Sequence, residues 1–566
     1  MVTAEVTMGN FNGIVEYHDG LAVSDYVNML PLGDTCVDRV GDELVNNAID
    51  YGTTVDVRGT FIDSNNTIYI ALSLGMYYAK YNPMDDTVSE LKPMQWYMGN
   101  ELKTFQFWNH KGKVTFCESS IKPSVVFCCD GQYIYMWNTT ENPTYDSHKD
   151  PLIVNMMYLP NMLFGTDTEI GGQANSGVEG TVAKDHGSQP EMQNWLGSMP
   201  GYGDTFDIWA ENDKYATYID SICWFDNKLV GCNKRKNTVW ITRTDPMSYF
   251  RQNAEAVTGG NSYPLAPQDG IDLWYNWYSS TNNADNLIDV ASYAGQLYFF
   301  NDHSIEVWGR TGNEDSPIQP NTTQVVHFGG RNPLITEGVL YFIASDAMGD
   351  EFIAAFSPQF QKLSNKEIER RLGKPVDLQI IMQRHENYLF VRNEDCSGFL
   401  FKDGRWSSWD NPVGVPYKIR NSIVKDYAVT STGNFTKFNE DIRLTGGVRY
   451  NRYIRDGFKQ FPKRVIIRRV YIVMDTGKTD RDKYVDYVHG EVKPNELYQN
   501  MEIYVAVSTN RGMSFSQRRY RKLGIAGHND KVIEWRNLGS ANSTLFEIGT
   551  SSLHKLQIYS MGVDVQ

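Results

Sequence analysis

One local pattern recurs along this chain. A short apolar run meets a polar or glycine-containing turn, and an alternating, aromatic-rich run follows. It appears at Asn65–Ile70, His110–Phe116, Asp130–Trp137 and Trp224–Gly231, and again at Tyr293–Phe300, Glu337–Ile343 and His385–Val391. Phe399–Trp409 reads as another hairpin. Period-two alternation about such turns predicts antiparallel hairpins. Leu229, Leu297, Leu340 and Leu389 fall at equivalent places, 68, 43 and 49 residues apart. The two shorter gaps suit a four-stranded propeller blade, and the longer one carries an insertion at 252–278.

The pattern predicts an all-β fold: a β-propeller, expected to have six blades, followed by a β-sandwich-like domain. Residues 1–60 form an N-terminal arm with the first propeller strands, 61–440 the propeller, and 445–566 a C-terminal β domain. A series of β-sandwiches is the structural alternative. Long insertions are expected at 161–203, which is rich in Gly, Ser, Asp and Asn, and at 252–278. Helices are few. Residues 360–372 form the best candidate, with Ser364 as cap, Glu367 closing a capping box, and a stop at Gly373-Lys374-Pro375. Cys36–Ile49 is a second, shorter candidate.

Composition supports this picture. Only 21% of the 566 residues are charged, while 47 are glycine and 13% aromatic, a mix that suits many turns and short strands. No run of eighteen apolar residues predicts a membrane span. Met1–Asn10 lacks the basic start and apolar core of a signal peptide. The seven cysteines have no framework spacing and read as reduced, mostly buried thiols of a cytosol-made protein, with Cys223 and Cys232 expected to flank a hairpin and face each other.

Charge changes the picture more. The net charge is −15, which argues against general wrapping of nucleic acid. It is unevenly spread. The first sixty residues hold ten carboxylates and two arginines, whereas 447–470 hold eight cations and one Asp. Those eight are Arg449, Arg452, Arg455, Lys459, Lys463, Arg464, Arg468 and Arg469, with Tyr450, Tyr453, Phe458 and Phe461 between them. Such a stretch suits phosphates, a channel wall, a solvated face, or a seam with an acidic neighbouring subunit.

Candidate chemistry is sparse. Ser508-Thr-Asn-Arg-Gly-Met-Ser-Phe515 loosely matches the Asp-box, Ser-x-Asp-x-Gly-x-Thr-Trp, with Asn510 in place of the Asp. Physically it is a structural hairpin turn opened by Ser508: Asn510 bonds the turn amides, Gly512 supplies a positive φ, and Phe515 plugs the core. Trp274, Tyr275, Trp277 and Tyr278 are candidate exposed aromatics in a blade-top loop, where they would suit receptor or glycan binding. No metal-ligand, phosphate-loop or nucleophile signature is present, and no catalytic residue, metal or cofactor is assigned. Carboxylate pairs such as Asp85/Asp86 and Glu394/Asp395 sit in polar turn text.

Three stretches together resemble a known family. They are Tyr26–Pro31; Asp289–Gly312 with Ser304, Ile305, Glu306 and Trp308, followed by Gly329-Gly330-Arg331; and Ser508–Phe515 with Lys531–Gly549 and the closing Gly562-Val-Asp-Val565. In order and spacing they resemble the tail hub, or tail nozzle, proteins of short-tailed (podovirus) phages, the packaged-DNA stabilisation family. The resemblance implies a homo-hexameric ring in the virion tail, assembled in the host cytoplasm. It implies as partners a head-to-tail adaptor, tail needle, tip or fibre proteins, and genome DNA passing through the lumen without sequence-specific contact. A receptor- or glycan-binding tail protein is the alternative, and a propeller glycosidase a third.

Overall fold

The computed structural model describes the chain apart from residues 1–3, 9–10, 18–21, 33, 47–54, 74, 99–100, 108, 121–123, 132–133, 139–156, 160–218, 235–236, 243–273, 280–284, 314–316, 322–326, 358, 374, 477–482, 487–490, 495–500 and 524–529. The 161–203 insertion and most of 252–278 therefore lie outside the described residues. The chain forms two compact units, one of residues 55–351 and 356–359, the other of 1–54, 352–355 and 360–566.

The first unit is a run of antiparallel sheets laid down in chain order. Val57–Ile62, Thr67–Leu72, Gly75–Asn82 and Thr87–Val88 make the first, with Lys92–Pro93 beside it. Thr115–Glu118, Val125–Cys129, Ile134–Asn138 and Met157–Leu159 make the second. Ser221–Phe225, Lys228–Asn233, Thr238–Thr242 and Trp274–Ser279 make the third, and Leu287–Tyr293, Gln296–Asn301, Ile305–Arg310 and Ile318–Pro320 the fourth. Gly329–Thr336, Val339–Ser345, Glu351–Phe356 and Phe360–Lys362 follow the same order in a fifth sheet, whose last two strands consist mostly of residues of the second unit. These are five blades of an all-β propeller fold.

The expected count of six is not reproduced. Besides the five blade sheets, the described residues form two further four-stranded antiparallel runs. One, Pro375–Gln383 to Arg405–Trp409, is continuous with a larger sheet. The other, Ile419–Val424, Tyr427–Thr430 and Phe435–Asn439, takes its fourth strand from Gly41–Asn46 near the N-terminus.

The turns explain why the repeat is visible in the sequence. Five hairpins close on two residues that both have positive φ: Asp226-Asn227, Ala294-Gly295, Glu337-Gly338, Arg384-His385 and Asp403-Gly404. That is the type I′ geometry, whose twist matches the flanking strands. The four equivalent leucines all sit in the strand after such a turn and are buried. Cys223 and Cys232 do flank a hairpin but do not face each other: their cross-strand partners are Val230 and Ser221. All seven cysteines are free thiols, six of them buried.

In the second unit, Arg452–Asp475 is a 24-residue strand shared by two sheets. Its first part pairs with Ser540–Thr550, which continues to Glu502–Ser508 and Arg519–Lys522. Its last part lies between Lys531–Arg536 and Gln557–Val565. A single core fills the space beneath, with Ile454, Ile467, Val470, Ile472, Val505, Trp535, Phe546, Ile548 and Val563 among its members. N-terminal strands join both sheets. Asp25–Val27 pairs with the long strand, and Ala4–Met8 and Thr35–Asp38 pair with Gln557–Val565. Residues 445–566 are thus interleaved with the N-terminus.

Where the strands Arg519–Lys522 and Lys531–Arg536 run beside each other, side chains replace a backbone ladder. Arg519 donates to the carbonyls of Arg536 and Asn537, Arg521 to that of Glu534, and the Trp535 indole to that of Arg519. Charged side chains on a sheet edge also discourage pairing with another chain.

Two helix expectations change. The Cys36–Ile49 candidate is strand instead where it is described, at Thr35–Asp38 and Gly41–Asn46, and its end at 47–49 lies outside the described residues. The predicted helix is present at Lys366–Arg371, but its N-cap is Asn365, whose side chain accepts from the Ile368 amide. Ser364 instead bonds Glu369, and Glu367 turns inward to Arg370 and Arg371. Asn and Ser are comparable caps, and the second acidic side chain decided between them.

The turn geometry makes a directional prediction. Gly295 has φ +74, and a methyl group added there would meet only open space. Gly295→Ala therefore destabilises by about 1 kcal/mol through backbone conformation alone. Ala294→Gly, at φ +50, shifts stability the other way by roughly 0.5 kcal/mol. Urea midpoints of the two variants check both signs.

Candidate interaction face

The eight cations of the basic stretch part company in the structure. Arg452 is fully buried and faces no surface. It pairs with Asp38 and donates to the carbonyls of Ser552 and His554. Arg455 pairs with Glu547 at 2.7 Å, and its guanidinium lies between the rings of Tyr453 and Phe515, 4.9 Å from each. Arg469 pairs with Asp564 at 2.7 Å and Glu534 at 3.4 Å. So three of the eight meet carboxylates of their own chain, and for them a seam with a neighbouring subunit is not needed. Arg449, Lys459, Lys463, Arg464 and Arg468 are exposed.

The buried half is organised by Asp38, which is fully shielded from solvent. Arg384, Arg443 and Arg452 all reach its carboxylate, Arg443 at 2.5 Å, and the Leu556 amide adds a bond at 3.2 Å. Burial alone would push this carboxyl up. The guanidiniums of Arg443, Arg384 and Arg452 outweigh it and hold Asp38 well below the usual carboxylate range. Beside it, His554 is buried with neither ring nitrogen bonded. Burial, then the positive charge of Arg452, pushes it down to about 3. Arg39 is stabilised differently: its guanidinium sits 4.0 Å from the Trp409 ring and 4.1 Å from Tyr450, and it bonds Asn28 and Thr445.

The Asp-box-like turn joins the same charge layer. The Ser508 hydroxyl accepts from the Gly512 amide at 2.8 Å, and Asn510 accepts from the Ser514 amide at 3.0 Å. Gly512 has φ +89, as the turn requires. Phe515 does not plug the core. It is half-buried on Arg455, whose partner Glu547 also binds Arg518 at 3.1 Å. The degenerate box therefore places an aromatic lid over a half-buried ion pair.

Trp274, Tyr275, Trp277 and Tyr278 lie in the strand Trp274–Ser279, the fourth of a blade, rather than in a loop. Sequence reasoning missed Asp38, Arg384, Arg443, Glu547 and His554. One signal was available: Cys36-Val37-Asp38-Arg39-Val40 sets two opposite charges in an apolar strand, which calls for buried partners. Among the described residues no group of three or more His, Cys, Asp or Glu is placed to hold a metal ion.

The central motif has a structural explanation in the first unit. Asp285 accepts from the His303 amide and from the Ser304 hydroxyl at 2.8 Å, fixing the turn before Ile305. The buried Trp308 indole donates to Glu306 at 3.1 Å. A side chain at Gly329 would stand 1.8 Å from the Asp302 carbonyl oxygen, so this backbone approach admits only glycine, and Arg331 pairs with Glu351 at 2.7 Å.

Residues 265–392, which contain this motif, match the family model described as Bacteriophage P22 Gp10, beta-propeller. The match is to a phage structural family and covers under a quarter of the chain. No curated protein matches the sequence. Among solved structures, an exo-beta-1,3-galactanase from Phanerochaete chrysosporium aligns at 9% identity and a TM-score of 0.24, over 79% of this chain and 95% of that one. The extracellular domain of a putative hybrid two-component system from B. thetaiotaomicron aligns at 9% identity and 0.31, over 76% of this chain and 41% of that one.

The Asp38–His554 cluster predicts acid sensitivity with a definite sign. The folded His554 pKa of about 3 lies below the ordinary 6.5, so between these values the unfolded chain binds a proton that the folded one does not. Stability therefore falls as pH drops from about 6.5 towards 3, by at most about 1.4 kcal/mol per pH unit from this group. The contribution of Asp38 persists above the usual carboxylate pKa of about 3.9 and is lost only at still lower pH. In denaturant titrations at pH 7, 5 and 4, His554→Leu flattens the slope while Asp38→Asn lowers stability at every pH.

Proposed function

We propose that the chain is a structural protein of a phage tail: a hub or nozzle ring, six subunits around, that extends the DNA channel below the portal and its adaptor. In this role it retains packaged DNA, conducts it at ejection, and anchors a needle, tip or fibre protein. Assembly takes place in the host cytoplasm and no chemical step is involved. The observation that carries the proposal is the match of residues 265–392 to a phage structural propeller family. It includes the fourth and fifth blades, where the motif residues hold turns and close backbone contacts. The predominantly acidic chain adds a physical reason for DNA to pass without sticking, since like charges repel. On this proposal residues 445–566 act as the assembly module, with the exposed part of the basic stretch at a subunit seam.

Negative-stain imaging of the purified full chain, across a range of concentrations, tests this. Averages should show a ring with six-fold symmetry and a central opening, and peptide mapping of purified virion tails should find the chain. Release of sugars from host polysaccharide by a protein that forms no ring would sink it.

A further inference from the structure

The exposed cations stand on a feature of the long strand. From Asp456 opposite Phe546 to Lys459 opposite Thr544, that strand gains one residue on its partner. From Gln460 opposite Ser543 to Val465 opposite Ala541 it advances five residues while the partner advances two. The surplus is thrown outward as a bulge. Phe461 and Val465 pin it to the core, and Pro462, Lys463 and Arg464 project. Beyond the bulge the strand alternates: Val465 and Ile467 face in, and Arg464, Ile466 and Arg468 face out. Ile466 is 53% exposed between the two arginines. Lys459, Lys463, Arg464 and Arg468 pair with no described acid. Bulges re-aim side chains and recur beside functional surfaces.

Charge supplies the complement. The unit that carries the ridge, residues 1–54 with 352–355 and 360–566, holds 35 Lys and Arg against 32 Asp and Glu, so the ridge is a local concentration of cations on a nearly neutral unit. Residues 55–351 hold 18 Lys and Arg against 36 Asp and Glu, a net of −18. The chain thus carries both halves of an electrostatic contact in separate units. An exposed isoleucine flanked by cations is the arrangement of a protein interface, with an apolar centre and a charged rim, whereas phosphate recognition needs no apolar centre.

We infer that the bulged ridge Lys459, Lys463, Arg464, Ile466 and Arg468 docks on the acidic 55–351 unit of a second copy of this chain. The contact is heterologous, head to tail, so repeated copies close into a ring or grow into a filament. This rests on the ring proposal and specifies its interface. Because the pairing is electrostatic at its rim, it weakens with salt and depends on the four cations together.

The test uses the full chain in sedimentation velocity at 50 and 500 mM NaCl. Wild type should assemble at low salt and lose at least tenfold in apparent affinity at high salt. The variant Lys459→Glu, Lys463→Glu, Arg464→Glu, Arg468→Glu should remain monomeric where wild type assembles, and the milder Ile466→Ser should weaken assembly about tenfold. The four positions are exposed, so the variants should keep the wild-type circular dichroism and melting temperature. Should the reversal variant not fold, the corresponding Gln variant and Ile466→Ser carry the test. Assembly unchanged by these substitutions overturns the inference and leaves the ring proposal standing. A wild type that stays monomeric under every condition removes the ring proposal and the inference with it. Loss of duplex-DNA binding in fluorescence anisotropy, with assembly unchanged, overturns the inference in favour of a nucleic-acid face.

Discussion

One buried carboxylate holds the second unit together. Asp38 lies on an early strand, and its three arginines come from a hairpin turn at 384, a connection at 443 and the start of the long strand at 452. A fourth bond comes from the backbone of Leu556, close to the C-terminus. Segments separated by hundreds of residues thus meet at one side chain. Three guanidiniums around one carboxylate leave an excess of buried positive charge, and only a dense set of backbone acceptors makes it tolerable. Arg443 has the carbonyls of Glu440 and Ile442, and Arg452 those of Ser552 and His554. Removing one partner from such a group typically costs about 3–5 kcal/mol, because a buried charge is left uncompensated. The neighbouring histidine stays neutral because it is buried, with the positive charge of Arg452 adding to the effect.

This arrangement explains why the basic stretch behaves as two populations. Its first turn into the sheet is anchored inward by Arg452 and Arg455, each with a buried acid. The two bulges then break the pairing with Ser540–Thr550, and the cations that follow are pushed out of the acids' reach. After the bulge the strand resumes a two-residue alternation and enters the second sheet, where Arg469 again finds Asp564 and Glu534. The same run of basic residues therefore supplies internal mortar at both ends and an outward ridge in the middle. Register, not composition, separates them.

The hairpins were legible in the sequence because their determinants are local. Asp226-Asn227 and Ala294-Gly295 are two-residue turns that only a few residue types favour, and each is followed by a buried leucine at a fixed place. Everything non-local was illegible. No periodicity in Asp25–Val27 or Thr35–Asp38 reveals that they pair with strands four hundred and more residues away. Cys36–Ile49 reads as helical because it mixes apolar and charged positions, yet the charges at Asp38, Arg39 and Asp42 face buried partners rather than solvent. The pairing of Gly41–Asn46, which precedes the first sheet, with Phe435–Asn439 of a late one is equally non-local. Phe515 was placed in the core on its apolar character, and an arginine claimed its face instead.

The same logic bears on what the conspicuous motifs do. An Asp-box-like turn, a cluster of arginines and a tryptophan beside a glutamate would each suit an enzyme if seen alone. In the structure each is consumed by architecture. Asn510 and Ser508 satisfy turn amides, Glu306 accepts from the Trp308 indole, and the arginines answer Asp38 and Glu547. Polar groups that already have partners inside the fold are poorly placed to act on a substrate. Among the described residues the ridge keeps cations without an acidic partner, and the sequence of 55–351 is net negative. Long-range charge asymmetry guides association and register between macromolecules more than it guides chemistry. On the proposed tail role, a chain that commits so much of its polar interior to its own fold keeps its remaining charge for contacts with other subunits.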